Sequence, residues 1–293
     1  MIKEIAVIGA GGKMGSWFTK YFSKENYTRL LLYDINPHFQ CALKKSTICD
    51  TLGDCVADAD IVFLCVPIKD VPLTIRQCAI KMKTGAILAE ISSVKHQSFR
   101  AFKKIRSKVR PLCIHPMFGP GAEDTKDMNI ILIPVQDEKK ETSICKCIFQ
   151  DALITVLPTP KVHDELIAIV LGLTHYINLI FGSLLSKENF DLLKKVSGTT
   201  FGLQSLLCRS IFSDSPDLII ALLSQNPSCR RYIQSYINNA NELAELIFQG
   251  NEIKLKAHLQ KTQSILESQQ TLEVSYQRMY HIVKELNRNR GLF

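Results

Sequence analysis

The sequence predicts an α/β protein in two parts, a doubly wound, mainly parallel sheet followed by an all-helical C-terminal domain. Three observations predict it. Apolar runs of strand length alternate with helical patterns through the first half. A glycine-rich turn joins the first apolar run to the first helical pattern. Beyond Leu157-Pro-Thr-Pro160 the alternation stops, and only long helical patterns remain, broken at Ser197-Gly198, Asp214-Ser-Pro216, Gln225-Asn-Pro227 and Gly250. The boundary is therefore set at 158/159, giving a sheet domain of residues 1–158 and a helical domain of residues 159–293. A chain of 293 residues exceeds one average domain and can bury a sizeable core.

The first element is the apolar run Glu4–Gly9, which breaks into Gly9-Ala-Gly11-Gly12-Lys-Met14-Gly15 and then into the helical pattern Ser16–Ser23. Strand, glycine turn and helix in that order hold a pyrophosphate against backbone N–H groups at a helix N-terminus. The spacing is GxGxxxG rather than the usual GxGxxG, with Met14 where the last glycine is expected. A second run, Leu30–Tyr33, ends in Asp34, nineteen residues after Gly15. A carboxylate there accepts hydrogen bonds from the adenosine ribose and repels a 2′-phosphate, favouring NAD over NADP. These marks define a Rossmann-type domain. The third run, Ala59–Val66, is continuously apolar, as in strands covered on both faces, and ends at Pro67. The cofactor-binding candidates are Gly9, Gly11, Gly12, Met14, Gly15, Asp34, Val66 and Pro67.

Further strands are expected at Ala86–Ile91, Pro111–Ile114, Asn129–Val135 and Ile154–Leu157, with helices at Val71–Met82, Gln97–Ser107 and Glu138–Gln150. Ligands of open α/β sheets bind at the carboxyl ends of the strands. Two adjacent strands ending together would bring Ser93, Lys95 and His115 to one rim, where a substrate meets the cofactor.

Charge and cysteine usage narrow the class. The net charge of +8 comes from dispersed Lys and Arg without interleaved aromatics, which suits anionic small molecules and gives no nucleic-acid footprint. Ten cysteines with no CxxC pair, only the Cys145-x-Cys147 doublet, are read as buried fillers in a cytoplasmic protein, neither a disulfide framework nor a metal site. No signal peptide is read, since the N-terminus runs directly into a strand. Leu166–Ser186 contains no Asp, Glu, Lys or Arg and approaches the length of a membrane span, but His175, Tyr176 and Asn178 lie in its middle. It is read as a helix buried all round, in the helical domain or at a homodimer interface, and not as a membrane helix.

Ser93-Val-Lys95, His115-Pro-Met-Phe-Gly-Pro, Val162-His163-Asp164 and His175, in order along nearly the whole chain, resemble the prephenate dehydrogenase (TyrA) family, in particular its HPMFGP-bearing branch. The resemblance implies a minimal NAD-dependent enzyme of tyrosine biosynthesis, with a Rossmann domain and a dimerising helical domain, that converts prephenate to 4-hydroxyphenylpyruvate by oxidative decarboxylation. It assigns His115 as the catalytic histidine on the substrate 4-hydroxyl, with Ser93 orienting hydroxyl and imidazole. Arg209 matches an arginine that grips a substrate carboxylate, His175 faces the substrate from the helical domain, and Lys95 lies near the nicotinamide or the carboxylates. Phe201 stands where bifunctional relatives carry a second arginine, eight positions before Arg209. Arogenate and 4-amino-4-deoxyprephenate therefore stay open as substrates. Two other classes also remain: a β-hydroxyacid or imine dehydrogenase, and a non-catalytic NAD-binding sensor.

Overall fold

A computed structural model describes residues 4–24, 29–106 and 108–288. The chain divides into two compact units, Met1–Ile167 and Ala168–Phe293. In chain order the first unit contains β1 (Glu4–Ile8), α1 (Lys13–Ser23), β2 (Arg29–Tyr33), β3 (Ser46–Ile48), α2 (Leu52–Val56), β4 (Ile61–Leu64) and α3 (Val71–Ala79). It continues with β5 (Ile87–Glu90), α4 (His96–Lys103), β6 (Arg110–Pro116), β7 (Asn129–Leu132), α5 (Glu138–Ile148), β8 (Leu153–Val156) and α6 (Pro160–Ile167).

The strands form one sheet in the order β3-β2-β1-β4-β5-β6-β7-β8. All neighbours pair in parallel except β6 with β7. The order reverses between β1 and β4, the switch point beside which such sheets bind ligands. The continuous apolar run in β4 has the expected cause: Val62 and Leu64 enter the core on one face and Ile61 and Phe63 the core on the other, all buried. On the second face Phe18 and Phe22 of α1, Phe63 and Phe149 pack with ring centroids 4.9–6.3 Å apart.

Sequence pattern did not show β3 or α2. Ser46–Ile48 is a three-residue edge strand and Leu52–Val56 a single turn and a half, too short for a periodicity to register. The helix expected at Gln97–Ser107 is α4, ending at Lys103; Ser107 lies outside the described residues. The break between the units falls after α6, whereas the proline-rich turn had suggested 158/159. Thr159 caps α6 through its hydroxyl, with Pro160 in the first turn, and the helix then packs with α4 of the first unit.

The second unit is all-helical. It comprises a π-helical turn at Ala168–Leu173, α7 (Thr174–Leu185), α8 (Phe190–Val196), α9 (Thr199–Ile211), α10 (Pro216–Gln225), α11 (Cys229–Phe248), α12 (Glu252–Gln269) and α13 (Leu272–Arg288). Helices α7 and α9 cross closely at Gly182, where a Cβ would collide with the Phe212 ring. Within one chain, the helix expected at Leu166–Ser186 is not buried all round. Pro160–Leu185 is long and apolar enough to cross a membrane, with a mean hydropathy of 1.8, yet only 28% of that window is buried within the chain. Val170 and Leu184 keep more than half of their surface exposed.

Candidate active site

The glycine turn is shaped for a nucleotide. Gly9 N–H donates to the Tyr33 carbonyl at 2.8 Å, closing the tops of β1 and β2. Gly9 has φ +81°, and a Cβ there would lie 2.6 Å from the Cys65 carbonyl oxygen and 3.2 Å from Val66 Cγ1. Gly15 is the third essential glycine, since its Cβ would fall on the Gly9 carbonyl oxygen. This explains the GxGxxxG spacing: the close strand–helix approach occurs one residue later than usual, and Met14 is free to pack into the core below the turn. Helix α1 has no side-chain cap at Gly12 and no acidic residue in its first turn, so its N-terminus suits an anion.

Asp34 sits at the end of β2, where its carboxylate accepts from Gly11 N–H at 2.8 Å and from Asn36 N–H at 2.9 Å. Each oxygen keeps a lone-pair direction for a ribose hydroxyl. Val66 and Pro67 follow the end of β4 at the same edge of the sheet. The turn therefore has the glycines, uncapped helix end and acidic residue that a dinucleotide requires.

The catalytic candidates lie two and three strands from β1, after β5 and on β6. Strand β5 ends at Glu90, paired with Cys113, while β6 continues to Pro116 and carries His115 beyond the end of its parallel neighbour. Ser93 follows β5 at this edge and is half-buried. It does not cap α4. That role falls to Asp164 of α6, which accepts from Lys95 N–H at 2.9 Å and His96 N–H at 3.0 Å.

Asp164 begins a chain of buried groups that sequence reasoning left without a role. His163 Nδ1 lies 2.8 Å from Asp164 Oδ1, and His163 Nε2 lies 3.0 Å from His115 Nδ1. The tautomers follow from the partners. A carboxylate accepts, so His163 Nδ1 carries hydrogen and its Nε2 is a lone pair. That lone pair accepts from His115 Nδ1–H. In neutral His115 the remaining nitrogen, Nε2, therefore carries the lone pair. Burial, then the neighbouring His163 and the Lys95 charge, hold the His115 imidazole well below the ordinary histidine value. Burial lowers His163 too, against the raising effect of its hydrogen bond to Asp164. The signal for this relay was visible as His163-Asp164 near a helix start, but only the tertiary fold brings it to β6.

Lys95 is a correction. It is fully buried, and its ammonium pairs with Glu90 Oε1 at 2.6 Å and donates to the Ile114 carbonyl. It cannot also grip a substrate carboxylate.

In the second unit, buried His175 donates from Nδ1 to the Leu171 carbonyl at 2.7 Å, which fixes its tautomer and leaves Nε2 for another partner. Arg209 is exposed on α9, its guanidinium over the Phe190 ring at 5.1 Å and paired with no carboxylate among the described residues. It edges a mostly apolar cavity of about 420 Å³ with Leu185 and Phe212. Phe201, in place of a second arginine, packs edge-on against Phe181.

A nucleotide-shaped turn at a switch point, a buried histidine three strands from β1 and a separate helical unit are features that a nucleotide-dependent oxidoreductase requires. Comparison with known proteins gives the family. Residues 20–152 match the prephenate dehydrogenase nucleotide-binding domain and residues 159–261 the prephenate dehydrogenase dimerization domain. The chain belongs to the prephenate dehydrogenase family. Among curated relatives it is similar to a "Probable arogenate/prephenate dehydrogenase" of Methanocaldococcus jannaschii, 25% identical over 260 residues, covering 83% of this chain and 56% of the relative. It is 23% identical to a T-protein of Enterobacter agglomerans over 255 residues, covering 86% of this chain and 64% of the relative. The chain thus spans less than two thirds of the length of these relatives. Its fold is shared with a prephenate dehydrogenase from A. aeolicus solved with hydroxyphenyl propionate and NAD+ (TM-score 0.72, 20% identity, 92% of this chain and 98% of that one). A Synechocystis arogenate dehydrogenase shares it too (TM-score 0.64, 18% identity, 90% of this chain and 99% of that one).

Proposed function

We propose that the protein is an NAD-dependent prephenate dehydrogenase that oxidatively decarboxylates prephenate to 4-hydroxyphenylpyruvate in tyrosine biosynthesis. The observation that carries this reading is the Asp164–His163–His115 chain, which leaves His115 Nε2 as a neutral base at the carboxyl edge of the sheet. NAD, when bound at the glycine turn, would supply the acceptor for the hydride lost from C4. His115 Nε2 accepts the 4-hydroxyl proton as the C4 carbonyl begins to form. His163 and Asp164 then share the positive charge, so the buried imidazolium is not left uncompensated. The ring carboxylate leaves as CO2, its bonding electrons complete the aromatic ring, and His115 returns the proton to the C4 oxygen, giving the phenol.

Ser93 is the residue proposed to orient hydroxyl and imidazole, and Arg209 and His175 are the second unit's candidates for substrate carboxylates. Gly9, Gly11, Gly12, Gly15 and Asp34 hold the cofactor, with Val66 and Pro67 beside them. Asp34 sets the preference against NADP. The active form is a homodimer: the dimerization-domain match and the exposed apolar side chains of α7 support a second copy covering that face.

Arogenate is the second reading, favoured by Phe201, since one cation fewer suits a substrate bearing an amine in its side chain. The test is NADH formation with prephenate, arogenate and 4-amino-4-deoxyprephenate side by side, each repeated with NADP. Highest kcat/KM with prephenate and NAD supports the proposal. NAD binding without turnover of any of the three would favour a sensor.

A further inference from the structure

The buried ion pair of Glu90 and Lys95 has no part in the chemistry above, yet it touches both ends of the histidine relay. Strand β5 stops at Glu90, so the ladder to β6 ends at Cys113 and the next three residues of β6, including His115, have no partner on that side. The carbonyl of Ile114, immediately before His115, receives its hydrogen bond from the Lys95 ammonium instead. The same residue's main-chain N–H donates at 2.9 Å to Asp164 Oδ1, the oxygen that also receives His163 Nδ1–H.

The ammonium is itself fixed. Glu90 Oε1 holds it at 2.6 Å and also accepts from Ser98 Oγ and Cys113 Sγ, while Oε2 accepts from Ser92 N–H and Oγ. Glu90 and Lys95 are both fully buried. Such a pair is weak evidence of a stabilising device, because taking two charges out of water offsets much of their attraction. Its geometry supplies another role. We propose that Lys95, held by Glu90, is a positioning residue for the reaction: its ammonium replaces the missing β5 donor and fixes the overhang of β6 that carries His115, while its main chain anchors Asp164 at the far end of the relay.

The proposal rests on His115 being the base. The charged and titratable groups of the buried network that ends at that ring are Glu90 from β5, Cys113 from β6, Lys95 before α4, and His163 and Asp164 from α6. Of these, His163 and the Lys95 charge act to lower His115, after burial itself. Removing one partner of the pair would strand a buried charge, so the test replaces both, Lys95→Met with Glu90→Gln.

Two readouts separate this proposal from the assignment of the reaction. NMR titration of the His115 ring in the unliganded double variant should show its value rising toward the ordinary one of about 6.5. NADH turnover should fall about 10²-fold, the scale of a misplaced catalytic group, with a smaller change in KM and unaltered NAD affinity. An unshifted His115 titration together with near-normal turnover overturns the proposal. In the wild-type protein a hydrogen-bond correlation from Lys95 Nζ to the Ile114 carbonyl carbon is expected, and its absence overturns the proposal even if the double variant does not fold. If the wild-type protein turns over none of the three substrates, the assigned reaction fails while the NMR readouts still judge Lys95.

Discussion

Replacing His163 with phenylalanine isolates what the relay contributes. The ring is fully buried, so a phenyl group of similar shape fills the space while Asp164 keeps its bonds to Lys95 and His96 N–H. What disappears is the acceptor 3.0 Å from His115 Nδ1. The native tautomer of His115 would then bury an unsatisfied N–H, at a cost of about 1–3 kcal/mol. The competing tautomer places hydrogen on Nε2, where it can still donate but cannot receive the substrate proton. Since 1.4 kcal/mol corresponds to a tenfold change, the competent fraction falls roughly 5–150-fold, and kcat with it. Steady-state NADH formation measures the loss, and NMR of the His115 ring measures the tautomer directly. A folded His163→Phe variant that keeps kcat within about twofold would refute the tautomer argument, because an effect that small is only a fraction of 1 kcal/mol.

Gly15→Ala is expected to abolish measurable NAD binding while the second unit stays folded, since the new methyl would occupy the position of the Gly9 carbonyl oxygen; NAD titration followed by fluorescence of Trp17, the sole tryptophan, reads this out. Arg209→Ala should raise KM for the preferred substrate roughly 10–150-fold, as loss of a charged hydrogen bond of about 1.5–3 kcal/mol implies, with NAD affinity unchanged. Stability should fall in acid: His115 and His163 are lowered in the folded chain, so below the unfolded value of about 6.5 the unfolded chain binds more protons and folding weakens as pH drops toward the folded values. The urea midpoint of the first unit, followed through Trp17, should be constant above that pH and decline below it, and His163→Phe should flatten the decline.

The sheet was legible because its signals are local. Apolar runs such as Ile61–Leu64 carry their own evidence of two-sided burial, and the glycine turn with Asp34 reads directly as a nucleotide site. His115 was legible for the same reason, as a residue ending a strand at the binding edge. The relay was not, because His163 and His115 are 48 positions apart and meet only when α6 docks beside β6. Lys95 was misread for a related reason. Its place beside Ser93 at the binding edge suggests a contact with nicotinamide or substrate, and only the early end of β5 shows why its ammonium turns inward to Glu90 and Ile114. Burial of Leu166–Ser186 was inferred from composition, which cannot say whether the covering surface belongs to the same chain or to a second copy.

The most direct test of the central claim is the pH–rate profile of His115→Asn beside the wild-type protein. Asparagine keeps one hydrogen bond toward His163 but cannot take a proton. Wild-type kcat/KM should fall on the acid side with a midpoint below about 6.5, because burial holds His115 low, and the variant should lose about 10²–10⁴-fold in turnover together with that acid limb. Near-normal turnover in His115→Asn, with the acid limb unaltered, would mean that the substrate proton leaves by another route and that His115 is not the base.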